Sequence, residues 1–366
     1  MSFFRLDLKI SIFLIINEIR GKWKLLKVAG KSYLAAFPKL CRGLLNLWML
    51  LLALGIPFTL AAWKGKDNLA IQAEALYFSP SYDETYFVIN GSGTDGMGNP
   101  TPNGKRINNP VDFDWGFRLE GIYFSCVDLR LRWTHVFAKT KKKVSDFNSP
   151  PQLWPTEIIP SQPNVSEPFI GLASSHINVM YQKGECLFDE KAWSFCCCQF
   201  SFREGIEWSY LRYHEVIEYM QASGAQQQNQ FHAHTKGIGP QLGLIALCKP
   251  HDFFQWCPKP LSCKIMTTAT LIAANSKSKI KTDDTLLANN KITQSSLWRL
   301  VPEWVLNFGI RYSTCRALLE AGYEFTIYIS GISKLIFTDN SNPSLSFNQY
   351  SNFYVQGPFL ALRFTF

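Results

Sequence analysis

Charge is scarce in this chain of 366 residues: Asp, Glu, Lys and Arg make up 18%, against 47% hydrophobic residues. That balance excludes intrinsic disorder, which needs high charge and little apolar surface. After residue 62 the sequence also lacks any run of about 18 apolar residues, so a polytopic helical membrane protein is excluded. No Cys-x-x-Cys occurs among the ten cysteines, which speaks against zinc or thioredoxin-like chemistry. Nor is there a distributed basic face. The formal charge is +9, but residues 1–62 hold nine Lys/Arg and two Asp/Glu, leaving about +2 for residues 63–366. The one dense run, Lys139 to Lys143, reads as a solvated loop tip, and nothing else suggests a nucleic-acid partner. What is abundant is aromatic: 28 Phe, 14 Tyr and 11 Trp, with a mean hydropathy near zero. This leaves two all-β possibilities, a soluble sandwich or a barrel in a membrane.

Leu44 to Ala62 is nearly continuous apolar sequence, interrupted by Asn46. Lys39 and Arg42 precede it, and small residues end it at Thr59-Leu60-Ala61 or Leu60-Ala61-Ala62. Positive, apolar and then small is the order of a secretory signal. About 40 residues upstream exceed an ordinary n-region, so either the start codon is placed too early or the segment is a retained anchor. A cleaved signal is favoured, and export follows from both. The expected organisation is a leader over 1–62 and one domain over 63–366.

Past the leader, period-two alternation recurs. Phe113, Trp115, Phe117 and Leu119 alternate with Asp112, Asp114, Arg118 and Glu120; Leu131 and Trp133 alternate with Arg130 and Arg132. Trp304, Leu306, Phe308 and Ile310 alternate with Glu303, Asn307 and Arg311, and Leu360, Leu362, Phe364 and Phe366 flank Arg363. Successive strand residues show opposite faces, so each such segment separates two environments. Repeated charges cannot sit unpaired in a sandwich core. In a membrane barrel the aromatic face meets lipid and the charges line the lumen.

Length and connections decide between them. Ten segments are predicted: 68–78, 111–124, 127–138, 172–187, 193–213, 231–248, 261–275, 297–312, 316–330 and 351–366. Most match or exceed the ~9–11 residues that cross a bilayer as a tilted strand. Long connections (79–110, 139–171, 214–230, 276–296, 331–350) alternate with short ones (125–126, 188–192, 249–260, 313–315). An even strand count, short turns at one end and long loops at the other indicate an outer-membrane barrel of about ten strands (ten to twelve), with the turns in the periplasm. The predicted class is therefore an all-β, transmembrane antiparallel β-barrel.

Several strings are similar to those of the Legionella-type major outer membrane protein family, also found in Chlamydia-related bacteria: Asp112-Phe-Asp-Trp-Gly-Phe-Arg118, Leu131-Arg-Trp-Thr-His135, Gly237-Ile-Gly-Pro-Gln-Leu-Gly243, Ala321-Gly-Tyr-Glu324 and the terminal Gln356 to Phe366. The resemblance covers most of 68–366 and implies a pore-forming outer-membrane protein. Gln241 stands where the resemblance leads one to expect Arg, so solute selectivity does not carry across.

The expected lumen residues are Asp112, Asp114, Arg118, Glu120, Arg130, Arg132, Glu303, Asn307, Arg311 and Arg363, forming either a charged path for solutes or a salt-bridged plug. The expected lipid-facing aromatics are Trp115, Trp133, Trp304, Phe364 and Phe366. Nine cysteines follow the leader, which itself holds Cys41. Cys126, Cys186, Cys248, Cys257, Cys263 and Cys315 map at or near the short turns, and Cys196, Cys197 and Cys198 to the strand beside one of them. Exported thiols tend to be oxidised, so all nine are disulfide candidates. They would join the barrel to itself, to sister copies or to cysteine-rich envelope proteins, an arrangement the resemblance to Chlamydia-like envelopes also implies. No cofactor or metal is implied, and the remaining expected partner is outer-membrane lipid. The function expected is a narrow porin-like channel or an abundant structural envelope protein. Two alternatives compete: an outer-membrane protease using Asp112 and Asp114 with His232 and His234, although their phase points those imidazoles outward, or an adhesin using the two longest loops.

Overall fold

The computed structural model describes residues 69–83, 85–94, 100–147, 153–156, 171–224, 226–252, 260–284, 291–337 and 346–366. The expected leader, with Cys41, lies outside the described residues, as does Cys257. Among the described residues thirteen strands form: β1 (Leu69–Tyr82), β2 (Tyr86–Thr94), β3 (Pro100–Asn108), β4 (Asp114–Tyr123), β5 (Asp128–Asp146), β6 (Leu153–Pro155), β7 (Gly171–Phe195), β8 (Cys198–Gln221), β9 (Gln226–Cys248), β10 (Leu261–Asp284), β11 (Lys291–Ser313), β12 (Ala317–Phe337) and β13 (Ser346–Thr365). Ten close into an antiparallel barrel in the order β1-β13-β12-β11-β10-β9-β8-β7-β5-β4. The barrel closes where Ala70 pairs with Thr365 and Gln72 with Arg363. Each predicted segment corresponds to one barrel strand.

Most strands are longer than predicted, chiefly at their outer ends; β4 is shorter, and β7 gains its extra residues at the turn end. β8 has 24 residues, about 80 Å along the strand at ~3.3 Å per residue. An apolar band ~25 Å tall needs about half of that at the usual tilt. The exposed aliphatic and aromatic side chains, such as Leu131, Leu242, Ile265, Leu306 and Leu360, sit toward the short-turn end. Much of what composition presents as long loops is therefore strand continuing beyond the membrane. The loop expected over 214–230 shrinks to the few residues between β8 and β9. The run Lys139 to Lys143 is part of β5 and no loop tip, with Lys139, Lys141 and Lys143 exposed on one face.

The connection between β7 and β8 also moves. β7 runs on to Phe195, and Phe195 pairs with Cys198 across a two-residue turn at Cys196-Cys197. Cys196 takes φ 53°, the left-handed geometry that tight hairpins require.

Alternation resolves as the charges inside and the aromatics outside. Trp115 is 67% exposed and Trp304 54%, while Arg118, Glu120 and Glu303 are buried. Phe364, Phe366 and Trp133 are likewise exposed. On this outer surface the indoles of Trp133 and Trp208 stack at 5.6 Å. Gly184 lies between them in the strand pairing, on β7, and offers no side chain to separate them.

Two connections fold into a separate sheet of order β3-β2-β6. Its Phe87, Val88 and Leu153 pack with inward-facing Ala173, Ile217, Tyr219, Phe231, Ile280 and Leu335 from the outer ends of the barrel strands. The Tyr219 hydroxyl donates to the Phe87 carbonyl at 2.7 Å. Asn109, just after β3, is buried and donates to the Ser175 carbonyl at 3.0 Å. The outer mouth thus carries a packed lid of its own chain.

Candidate functional site

The lumen changes character from the short-turn end outward, and each strand shows the change in its own inward residues. β1 presents Gln72 and Glu74, then Leu76 and Phe78; β5 presents Arg132 and Thr134, then Val136 and Ala138; β7 presents Asp189, Glu185 and Lys183, then Tyr181, Val179 and Ile177. Three layers result.

Nearest the periplasm is a cavity of about 580 Å³, lined by seven basic side chains (Arg130, Arg132, Lys191, Arg203, Lys264, Arg311, Arg363) and three acidic ones (Glu120, Asp128, Asp189). Its walls are tied together by ion pairs. Arg203 and Arg130 meet Asp189 at 2.7 and 2.6 Å, and Lys264 and Arg311 share Glu320 at 2.9 and 2.7 Å. Arg363 Nε donates to Gln72 at 2.8 Å.

Above it lies a layer with the opposite balance. Lys183 Nζ sits 2.7 Å from Glu303, 2.9 Å from Glu207 and 3.4 Å from Glu185. Arg118 bridges Glu74 at 2.9 Å and Glu324 at 2.6 Å, and Asn307 donates to Glu324 at 3.0 Å. Arg132 links the two layers through Glu120 and Glu185. Gln241 donates to Glu185 at 3.2 Å and to Glu207 at 3.4 Å, so a neutral amide occupies the place where Arg was expected. Buried charges persist when paired in this way, because an unpaired one would forfeit its hydration without return.

The third layer is apolar and aromatic. Tyr181, Tyr328 and Phe353 meet edge to face or tilted at 6.1–6.4 Å, with Leu76, Phe78, Val301 and Val355 around them. All of these side chains are essentially inaccessible, as are Glu207, Glu303 and Asn307 beneath them. A bore wide enough for water would leave its lining accessible. Around these side chains, in both layers, there is no room for a water-sized particle.

Of the expected lumen residues, Arg118, Glu120, Arg130, Arg132, Glu303, Asn307, Arg311 and Arg363 point inward and join these networks. Asp114 is half-buried at the start of β4 and accepts from the Trp115 amide. Asp112 is corrected: it precedes β4 and is exposed, so no strand aims it into the barrel. Most of the acids in the central layer went unnoticed in the sequence (Glu74, Glu185, Glu207, Glu324), as did Lys183. On β7 the outward face beside Lys183 and Glu185 carries Gln182, Gly184 and Cys186, which blurs the alternation there. The aromatic layer was missed too, although the switch on β7 from Lys183 to Tyr181 and Val179 along one face was a usable signal.

The protease constellation does not assemble. His232 and His234 lie on the outward face of β9, where His232 stacks on His214 at 4.0 Å, while Asp112 and Asp114 lie at or just before β4, with β8, β7 and β5 between.

Cysteines gather at the short-turn rim. Cys198 and Cys248 form a disulfide between β8 and β9, and Cys263 pairs beside Cys248 across β10. Cys126, Cys196, Cys263 and Cys315 are free and exposed, and the half-buried Cys197 has its sulfur 3.7 Å from that of Cys198. Cys186 is corrected: because β7 continues to Phe195, it stands mid-strand beside Leu131, away from any turn.

The family model for the Legionella pneumophila major outer membrane protein precursor matches residues 62–366. No curated protein matches the chain. Among solved structures, the outer membrane protease OmpT from Escherichia coli aligns at 9% identity and TM-score 0.46, over 82% of this chain and 97% of that one. The Pseudomonas putida toluene transporter TodX aligns at 9% identity and TM-score 0.28, over 82% and 91%. Neisserial surface protein A aligns at 10% and 0.26, over 83% and 100%. The family match spans most of the chain, which therefore belongs to the Legionella major outer membrane protein family and resides in the bacterial outer membrane.

Proposed function

We propose that this barrel is a structural protein of the outer membrane whose lumen is a sealed, ion-paired core, and that cysteines at its periplasmic rim tie it to other envelope components. One observation carries the reading: the side chains that cross the lumen in its two upper layers, from Glu207 and Glu303 to Tyr181 and Tyr328, are inaccessible to water. A filled interior makes a barrel rigid, because paired charges and close-packed rings fix its cross-section. Four exposed thiols, Cys126, Cys196, Cys263 and Cys315, face the oxidising compartment on the turn side. Crosslinks from them would reach sister copies or cysteine-rich neighbours.

A second reading is a narrow pore for small solutes, and the periplasmic cavity favours it. Solutes could enter that vestibule, but passage would require Tyr181, Tyr328 and Phe353 to leave the axis and the Lys183 cluster to part. The vestibule is basic and the layer above it acidic, so an anion drawn in meets repulsion at the next step. Enzymatic hydrolysis has the least support, since the acids and imidazoles that would perform it face different surroundings.

Liposomes carrying the purified, refolded protein separate the first two readings by their swelling in isotonic sugars of graded size. The structural reading predicts the swelling rate of empty liposomes for every sugar. Size-dependent swelling by the unmodified protein would overturn it in favour of the pore.

A further inference from the structure

The outward face of the barrel, above its apolar belt, carries a second charged feature that the lumen does not explain. Strand register places residues in rows around the wall. One row reads Trp133, Gly184, Trp208, Ile238 and Ala273 across β5, β7, β8, β9 and β10, and belongs to the lipid-facing belt. Four residues further out on β5, the row is Phe137, Met180, Arg212, His234 and Lys277. The next one outward is Lys139, Asn178, His214, His232 and Lys279. Each step is about 6.6 Å along a strand, so the cations begin roughly 10 Å above the tryptophans once tilt is counted. That is where lipid headgroups lie.

Among the described residues, Arg212, Lys277 and Lys279 have no carboxylate partner within ion-pair distance; Lys139 has only the ring of Phe137, at 5.0 Å, beneath it. The nearest outward-facing acid on β10, Asp283, is taken by Lys281 at 2.8 Å, and Glu218 on β8 accepts from Ser174 and Gln228. His214 Nε2 is buried in this row with no hydrogen-bond partner. The other side of the barrel differs: β1 and β4 present Tyr77 and Trp115 on their outward faces near their outer ends. The charge is a sector, not a ring.

We infer that this sector binds the phosphorylated headgroup of an outer-leaflet lipid, its acyl chains lying on the belt below. The cations point outward at headgroup depth, directly continuous with surface that already faces acyl chains, so charge and position select the same partner. Lys139 on β5 and Lys279 on β10 stand four strand spacings apart, about 19 Å. One phosphate cannot serve both ends, so the headgroup should carry at least two. Arginine and lysine suit phosphate oxygens through charge-assisted hydrogen bonds, and an imidazole N–H can add a donor.

The test uses the full chain folded in a zwitterionic detergent, with binding read by native mass spectrometry and by the shift in thermal unfolding. The probes are diphosphoryl lipid A, monophosphoryl lipid A, phosphatidylcholine and inorganic pyrophosphate. The expected order is diphosphoryl above monophosphoryl lipid A, with phosphatidylcholine and pyrophosphate far weaker. The variant Arg212→Gln/Lys277→Gln/Lys279→Gln should bind diphosphoryl lipid A on the order of 100-fold more weakly, from about one factor of five per headgroup-level cation. Arginine at Lys277 and Lys279 should retain it. The control Lys249→Gln/Arg316→Gln removes charge at the opposite end and should leave affinity unchanged. Equal losses in triple variant and control, or equal affinity for phosphatidylcholine, would overturn the inference. The triple variant's folding is checked by its heat-modifiable mobility. If it does not fold, Lys139→Gln/Lys279→Gln takes its place, and unchanged lipid A affinity there would likewise overturn the site.

Discussion

Replacing Lys183 by Met tests whether the central layer is sealed. Met keeps most of the length of the stem, so packing changes little while the charge disappears. Three carboxylates, Glu303, Glu207 and Glu185, stand within 3.4 Å of the ammonium. A unit pair at such separations interacts by about 5–6 kcal/mol at an effective dielectric near 20. Desolvation offsets part of this, and the cost of removing one partner from a buried pair is about 3–5 kcal/mol. With m at ~3 kcal/mol/M, the urea midpoint of unfolding should fall by on the order of 1 M. The assay is urea titration of protein refolded in zwitterionic vesicles, followed by tryptophan emission and by gel mobility without heating. Lys183→Met/Glu303→Gln should recover a substantial part, since it removes an acid together with its partner. An unchanged midpoint in Lys183→Met would refute the reasoning, because it would mean that Lys183 is bathed in water.

Three further outcomes follow from the same geometry. Gln241→Arg places a guanidinium beside Glu185 and Glu207 and should raise the urea midpoint; a lower midpoint would show that the acids there are already matched. A membrane-impermeant maleimide should label Cys126, Cys196, Cys263 and Cys315 in proteoliposomes that expose the turn side, while Cys186 should react only with a permeant reagent. Labelling of Cys186 by the impermeant reagent would contradict its place among lipid-facing residues. Lipids brominated on their acyl chains should quench Trp115 and Trp304 in variants that retain one of them as the sole tryptophan, and absence of quenching would reverse the two faces of the wall.

The ten barrel strands were legible because lipid and lumen impose opposite chemistry on alternate residues. Trp115 beside Arg118, or Trp304 beside Glu303, cannot be accommodated otherwise. Strand ends were less legible for the same reason. Above the apolar belt the outward residues Lys139 and Lys141 are polar and so is the inward Thr140 between them, so the segment shows no contrast and reads as loop. The turn between β7 and β8 was placed at 188–192 because Asp189, Glu190 and Lys191 look like turn residues, although Asp189 faces the vestibule and pairs with Arg203. Cys196-Cys197, the real turn, has no composition that announces one. The lid strands were hidden by their own sequence: β3 contains Pro100, Pro102 and Gly104, which ordinarily mark a loop. Whether the lumen is filled is not decidable from alternation, since a plug and a pore present the same charges on the same face. What separates them is the size of the inward residues one layer further out, and Tyr181, Tyr328 and Phe353 come together only in three dimensions.

Single-molecule conductance in planar bilayers bears most directly on the sealed lumen. The unmodified protein should give no steady current steps, whereas a variant with the axis emptied, Tyr181→Ala/Tyr328→Ala/Phe353→Ala, should conduct if it folds to the same barrel. Regular steps from the unmodified protein, of equal size to those of the emptied variant, would contradict the account.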